Sequence, residues 1–273
     1  MHQKKLALVN DVTGYGRCSI AVALPIVSAL KVQGCVLPTA ILSVHTGFHD
    51  YYLDDYTDHM TPYIESWKKN DLTFDGISTG FLGSARQIGI VLDFLRDFKG
   101  PETLAIIDPV MGDNGECYPS YTEEMCREMR RLLAYADVLT PNLTEACKLL
   151  DIPYCGGQSL TDADFEKMAR ALAEKGPSGV VLTGIHEGPY ICNFIYDRGR
   201  TSWVKVLKVG HDRSGTGDVF AAIVAASVVR GESLEAAVQK ASDFICKVME
   251  YTEQLDLPHN AGLAFEEYLT ELR

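Results

Sequence analysis

The chain has 273 residues, 47% of them hydrophobic and 23% charged, a balance that suits a globular protein with a sizeable core and excludes an extended disordered chain. Its formal net charge of −12, with no Lys/Arg cluster interleaved with aromatics, excludes a nucleic-acid backbone as partner. The apolar run within residues 1–10 is too brief for a signal-peptide core, and no window reaches the roughly 18 apolar residues of a membrane span, so a cytoplasmic setting away from membranes is expected.

Short apolar runs alternate with longer helical patterns, the signature of a mostly parallel sheet covered by helices. Residues 6–9 read as a first buried strand and 20–30 as the helix after it. Residues 36–42 form a second strand, followed by a polar, aromatic loop over 45–56. Residues 74–78 are short and apolar, and Ser84 with Gln87 predicts a capping box for a helix reaching residue 98. Residues 104–107 are β-rich and stop at Asp108-Pro109, which puts a carboxylate at the C-terminal end of a strand, where open α/β sheets bind ligands.

Residues 123–134 are helical, 138–140 a strand, and Pro141-Asn142 starts another short helix. Thr161 begins a helix to residue 174, and 180–183 is the next strand. Residues 190–196 and 201–207 flank Asp197-Arg198-Gly199-Arg200, a turn between alternating runs that predicts an antiparallel hairpin at one sheet edge. Residues 219–229 are apolar on nearly every face and predict a buried helix. Ser233 caps the next helix, and 264–272 close the chain. No Ser/Pro-rich or charge-block linker divides these elements, so residues 1–273 read as a single domain. The eight cysteines, at 18, 35, 117, 126, 147, 155, 192 and 246, contain no CxxC pair and read as thiols of a reducing compartment, not as zinc ligands.

The strongest chemical signal is Ser214-Gly215-Thr216-Gly217-Asp218 ahead of the buried helix. Two glycines one residue apart let successive backbone N–H groups face one concavity, and the helix aims its positive end at the same spot, which makes an anion site. A carboxylate inside an anion site repels a phosphate unless it faces an attacking hydroxyl while the amides hold the charge on the transferring group. The plain alternative is a Gly-rich turn in which Asp218 serves the helix dipole. Asp108 and Asp113 at a strand end favour a hard cation that keeps several waters, or else a solvated turn. Asn142 and Glu145 share one helix face and could point at one ion, or they form an N-cap with a first-turn acid. Gly14-Tyr15-Gly16-Arg17-Cys18-Ser19 imitates a dinucleotide fingerprint but ends in Ser19 without a later acidic partner, and there is no G-x-x-x-x-G-K-[ST] phosphate loop.

Gly215-Thr216-Gly217-Asp218 resembles the G-x-G-D signature of ribokinase-like kinases. Asp108-Pro109-Val110-Met111-Gly112-Asp113 is similar to the D-P-V-[ML]-G-D stretch of vitamin B6 and hydroxymethylpyrimidine kinases, and Asn142 to Glu145 to their P-N-x-x-E element. Ser43-Val44-His45-Thr46-Gly47-Phe48 and Thr79-Gly80-Phe81-Leu82-Gly83-Ser84 resemble the loops that surround the pyridine ring in pyridoxal kinases.

The resemblance implies a three-layer αβα sandwich, mostly parallel with an antiparallel edge hairpin. It further implies ATP-dependent phosphorylation of the 5-hydroxymethyl group of pyridoxal, pyridoxine or pyridoxamine. Asp218 would be the base, with the amides of Gly215, Thr216 and Gly217 as the anion hole. Asp108, Thr140, Asn142, Glu145, Thr183, Arg213 and Ser214 would serve the nucleotide, with residues 211–214 as a lid. Asp108, Asp113 and Glu145 would order Mg²⁺, with a monovalent cation left open. Asp11, Thr46, Gly47 and Phe81 would meet the acceptor, while His45 reads as structural. B6 kinases imply a homodimer.

Asp11 to Gly16 is also similar to the D-x-[ST]-G-x-[AG] opening of hydroxymethylpyrimidine kinases, which makes that ring, or both rings, the alternative acceptor. A vitamer-binding protein without catalysis is the reading from another class. An intact Asp218 and both glycines ahead of it stand against that reading.

Overall fold

The computed structural model describes residues 2–154 and 156–272, so Cys155, one of the cysteines read as thiols, lies outside the described residues. The chain opens with β1 (Lys5–Tyr15), α1 (Ser19–Ala29), β2 (Gln33–Val44), β3 (Leu53–Asp55) and α2 (Thr57–Lys69). There follow β4 (Gly76–Thr79), α3 (Ala85–Phe98), β5 (Leu104–Ile107), a small ribbon of β6 (Gly112–Asp113) and β7 (Glu116–Cys117), and α4 (Glu123–Met129). The second half runs β8 (Val138–Leu139), α5 (Leu143–Leu150), α6 (Asp162–Ala173), β9 (Gly179–Glu187), β10 (Tyr190–Asp197), β11 (Arg200–Leu207), α7 (Thr216–Val229) and α8 (Leu234–Gln254).

Nine strands form one sheet in the order β11-β10-β9-β8-β5-β4-β1-β2-β3. The six from β9 to β2 are parallel, β10 and β11 form the expected antiparallel hairpin at one edge, and β3 adds an antiparallel strand at the other. Strand alternation sorts the core into two layers. Ala7, Val9, Ile77, Ala105 and Ile107 face α2 to α6, while Leu6, Leu8, Ile106, Val181 and Ile195 face α1, α7 and α8. The result is the expected αβα sandwich. α7 is buried from Val219 to Val229, as its all-round apolar composition requires. Among the described residues no helix is long and apolar enough to cross a membrane.

Several boundaries differ from the sequence reading for identifiable reasons. β1 and β2 run far beyond 6–9 and 36–42 because they pair with each other as far as Tyr15 and Val44. α2 was not anticipated, since Pro62 and mixed polarity hide its periodicity. The 123–134 helix tightens into a 3₁₀ stretch from Arg130 to Tyr135. Ser84 caps α3 by accepting from the Gln87 amide, but Gln87 does not reach back to Ser84 as a capping box demands. Its oxygen accepts from the Gly83 N–H at 2.7 Å, and its amide donates to the Thr39 carbonyl, Asp55 and Thr57. A complete capping box does start α6, where Thr161 accepts from the Asp164 amide and Asp164 accepts from that of Thr161. Thr161→Ala is expected to lower stability by about 1 kcal/mol, read by denaturant melts, with activity unchanged.

Candidate active site

The carboxyl ends of the parallel strands open onto a cleft of about 850 Å³. Asp108 lies just past β5, and Thr140 just past β8. The chain stays in register beyond β8: Asn142 bridges Thr183 of β9, whose N–H donates to the Pro141 carbonyl at 2.9 Å. From the far side comes the loop that ends in α7. All twelve residues expected on the nucleotide, metal and catalytic side line this one cleft: Asp108, Asp113, Thr140, Asn142, Glu145, Thr183 and 213–218.

Gly215 is the hinge of that loop. Its φ of +78° is left-handed, and a Cβ there would lie 1.8 Å from the Arg17 carbonyl oxygen, so only glycine fits. The turn delivers Thr216, Gly217 and Asp218 as the first three residues of α7, where N–H groups have no intrahelical acceptor. Thr216 is a partial exception to the expected cradle, because its hydroxyl donates to the Arg213 carbonyl at 2.9 Å and its N–H leans to the same oxygen at 3.5 Å.

The Asp218 carboxylate is half-buried. Burial raises its pKa to about 6, the Ser19 backbone N–H opposes the rise, the nearby Asp11 adds to it, and the Asn10 side chain lowers it again. Its Oδ1 lies 3.4 Å from Asn10 Nδ2. The carboxylate is thus turned toward the cleft and poised near neutrality, as a general base requires.

Asp108 and Glu145 are both pushed well above the usual carboxylate range, first by burial and then by neighbouring acids: Asp218 acts on Asp108, and Asp108 on Glu145. Such a pair holds a proton in place of a second charge or attracts a cation. Of the two readings open for Asn142 and Glu145, the helix cap is the one that forms. Asn142 accepts from the Glu145 amide at 3.0 Å, Glu145 accepts from the Asn142 amide at 2.9 Å, and its other oxygen accepts from Met111 N–H at 3.1 Å. Asn142 Nδ2 donates to the Gly112 carbonyl at 2.8 Å, tying the β6–β7 ribbon to α5. Asp113 is exposed and accepts from the Asn114 amide at 2.8 Å. Among the described residues no three His, Cys, Asp or Glu side chains are assembled to bind a metal by themselves. The donor set therefore fits a hard cation that keeps water and takes further oxygens from phosphates, and not a three-carboxylate cage.

The acceptor-side residues do not line the cleft itself but adjoin it. Phe81 is half-buried against the core, and its N–H donates to Asn10 Oδ1 at 2.8 Å, one side chain away from Asp218. Thr46 and Gly47 lie in an exposed turn, where a Cβ on Gly47 would lie 3.8 Å from Ser214 Oγ, beside the anion loop. Asp11 turns inward instead: it is 5% exposed and accepts from the Thr13 hydroxyl at 2.7 Å, two residues on in the same strand. His45 is structural, as expected. Its Nδ1 accepts from the Gly47 N–H and its Nε2 lies 2.8 Å from the Asn260 carbonyl oxygen, which makes the neutral ring the Nε2–H form.

Arg213 lines the cleft, but its guanidinium is engaged elsewhere. It donates to Glu253 at 2.9 and 3.1 Å and to the carbonyls of Leu257 and Pro258. His211 Nδ1 lies 3.2 Å from the same glutamate. The 211–214 segment expected as a lid is thereby tied to the end of α8, and Arg213 anchors the anion loop where a phosphate contact was expected. Asn10 is the site residue that the motifs did not single out. A lone asparagine at the end of an apolar strand has no spacing signature, and its partner Asp218 is 208 positions away.

The profile of the phosphomethylpyrimidine kinase family matches residues 20–263. The hydroxymethylpyrimidine/phosphomethylpyrimidine kinase of Haemophilus influenzae is 29% identical over 202 residues, which cover 70% of this chain and 71% of that one. Two plant thiamine biosynthetic bifunctional enzymes also match, and the chain spans only 35% and 33% of their lengths. A crystal structure from Bacteroides thetaiotaomicron, assigned by inference as a phosphomethylpyrimidine kinase and containing pyridoxal, superposes with a TM-score of 0.95 at 40% identity over 99% of this chain and 96% of that one. Pyridoxal kinase from Lactobacillus plantarum superposes with a TM-score of 0.91 at 25% identity, over 99% and 97% of the two chains.

Proposed function

The chain belongs to the phosphomethylpyrimidine kinase family, within the ribokinase-like kinases, and on that footing we propose that it transfers the γ-phosphoryl group of ATP to the 5-hydroxymethyl group of pyridoxal, pyridoxine or pyridoxamine. One observation carries the reading: the left-handed Gly215 turn, the start of α7 and the Asp218 carboxylate share a cleft with Asp108 and Glu145.

In this reading Asp218 accepts the proton of the acceptor hydroxyl as the oxygen bonds to the γ-phosphorus and the bond to the β-phosphate oxygen breaks, releasing ADP. The first-turn amides of α7 receive the charge that gathers on the transferring oxygens. A divalent cation arriving with the nucleotide would neutralise the phosphate oxygens, and Asp108 and Glu145 are the residues that would hold its water shell. Phe81 offers a flat ring an apolar wall.

Pyridoxal in the 40% identical structure and the two aromatic loops support a B6 vitamer as acceptor. The family match and the Haemophilus influenzae relative support hydroxymethylpyrimidine as a second acceptor. ADP formation from ATP should be followed with pyridoxal, pyridoxine, pyridoxamine, hydroxymethylpyrimidine and its monophosphate in turn. The highest kcat/KM is expected with a B6 vitamer. A preference for a pyrimidine by tenfold or more would replace the first reading by the second. Tight vitamer binding without turnover would identify a binding protein.

A further inference from the structure

We propose that Asn10 is a positioning residue for phosphoryl transfer: one side chain holds the Asp218 carboxylate with its amide and the backbone of the Phe81 wall with its oxygen, and so sets base and acceptor in register. The inference rests on the reading of Asp218 as the base.

Asn10 is 9% exposed and sits where the β1–β2 register shifts, between Asn10 and Val12. The irregularity re-aims side chains midway along β1, just past the point where its pairing with β4 ends at Val9. Two backbone N–H groups fix which end of the amide is which. Asn10 Oδ1 accepts from Phe81 N–H at 2.8 Å and from Asp11 N–H at 3.0 Å, so Nδ2 is the end that faces Asp218 Oδ1 at 3.4 Å. The Phe81 loop packs directly on this side chain, since a Cβ on Gly80 would lie 2.4 Å from Asn10 Nδ2.

Shape alone would need only the oxygen end. The donor end adds a neutral hydrogen bond to a carboxylate whose other donor is the Ser19 N–H. A lysine there would hold the carboxylate ionised at the expense of its basicity, whereas an amide orients it with little charge effect. At 3.4 Å the contact is long for a hydrogen bond, and the role proposed for Asn10 requires it to shorten as the reacting groups come together.

Asn10→Asp and Asn10→Ser separate this role from a structural one. Aspartate keeps both acceptor bonds to the amides of Phe81 and Asp11 but sets a carboxylate against Asp218, whereas serine is too short to reach Asp218 and so removes that contact without adding charge. Both variants are expected to lower kcat, aspartate by about 10²-fold and serine by about tenfold, with KM for ATP within about threefold of the parent. A structural asparagine gives the opposite order, with aspartate close to the parent and serine impaired through stability.

Asn10→Ser should also be combined with Asp218→Asn in a double-mutant cycle. The serine change is expected to lower kcat in the parent and to have no further effect once Asp218 is gone. Equal losses in both backgrounds, or a parental kcat for Asn10→Asp, would overturn the assignment of Asn10. If Asp218→Asn itself turns over like the parent, the base reading fails instead, and the two failures are told apart. Should Asn10→Asp not fold, the serine cycle decides alone.

Discussion

Asp218→Asn is expected to lower kcat by about 10²–10⁴, the usual worth of a positioned base, and at the same time to make the protein more stable. Both effects come from one cause. Burial lifts the carboxylate's pKa from an ordinary 3.8 to about 6, so the folded state binds its proton more tightly than the unfolded chain does. Above pH 6 the parent therefore carries an ionised, half-buried carboxylate, a destabilisation of about 1–3 kcal/mol that fades as pH falls toward 4.

Asparagine is isosteric and uncharged, so the variant should melt a few degrees higher than the parent at pH 7.5 and at a similar temperature at pH 4. The melts belong in a chelator-containing buffer, because a cation near Asp108 would mask the repulsion that Asp218 adds there. A variant that loses activity but gains no stability would mean that the carboxylate is satisfied by partners other than Asn10 and Ser19. One that gains stability and keeps its turnover would remove Asp218 from the chemistry.

What the sequence discloses about this protein is what is local. Asp108-Pro109 marks the end of β5 because proline restricts the residue before it, and the 197–200 turn announces the β10–β11 hairpin because its glycine, Gly199, takes a positive φ of 86°. The Gly215 to Asp218 spacing foretold a turn opening into a buried helix, and both are there.

What stayed hidden is what depends on distant partners. Arg213 reads as a free cation beside a phosphate loop until Glu253, 40 positions later, is seen to hold it. Asp11 reads as a ligand until it is found buried, with the Thr13 hydroxyl donating to it. Asn142 and Glu145 are open in sequence between ligand pair and helix cap, and only the reciprocal bonds of the fold reveal the cap. Polar side chains at strand ends are ambiguous in sequence for this reason. The same atoms that could meet a ligand can also satisfy a backbone group, and the choice is made by tertiary packing.

The two glycines of the anion loop should fail in different ways, and the contrast tests the loop's chemistry separately from its shape. Gly215→Ala forces a side chain into a left-handed residue, at about 1–2 kcal/mol, and drives its Cβ to within 1.8 Å of the Arg17 carbonyl. Backbone against backbone cannot be relieved by a rotamer change. The start of α7 or the β1–α1 turn must shift, with loss of several degrees in melting temperature and of nearly all turnover.

Gly217 lies in the first turn of α7, lines the cleft, and would place a Cβ in open space with nothing within 4 Å. Alanine there should fold at least as well as glycine, since it gains about 0.5–1 kcal/mol of helix preference. Its methyl group nevertheless projects at the amides that would receive the phosphoryl oxygens, so kcat/KM for ATP should fall by about 10²–10³. Calorimetric binding of a non-hydrolysable ATP analogue, run beside thermal melts of both variants, reads the two outcomes independently. Parental nucleotide affinity and turnover in Gly217→Ala would mean that the phosphates bind elsewhere in the cleft. A well-folded, active Gly215→Ala would mean that the turn tolerates a different path from the one seen at Arg17.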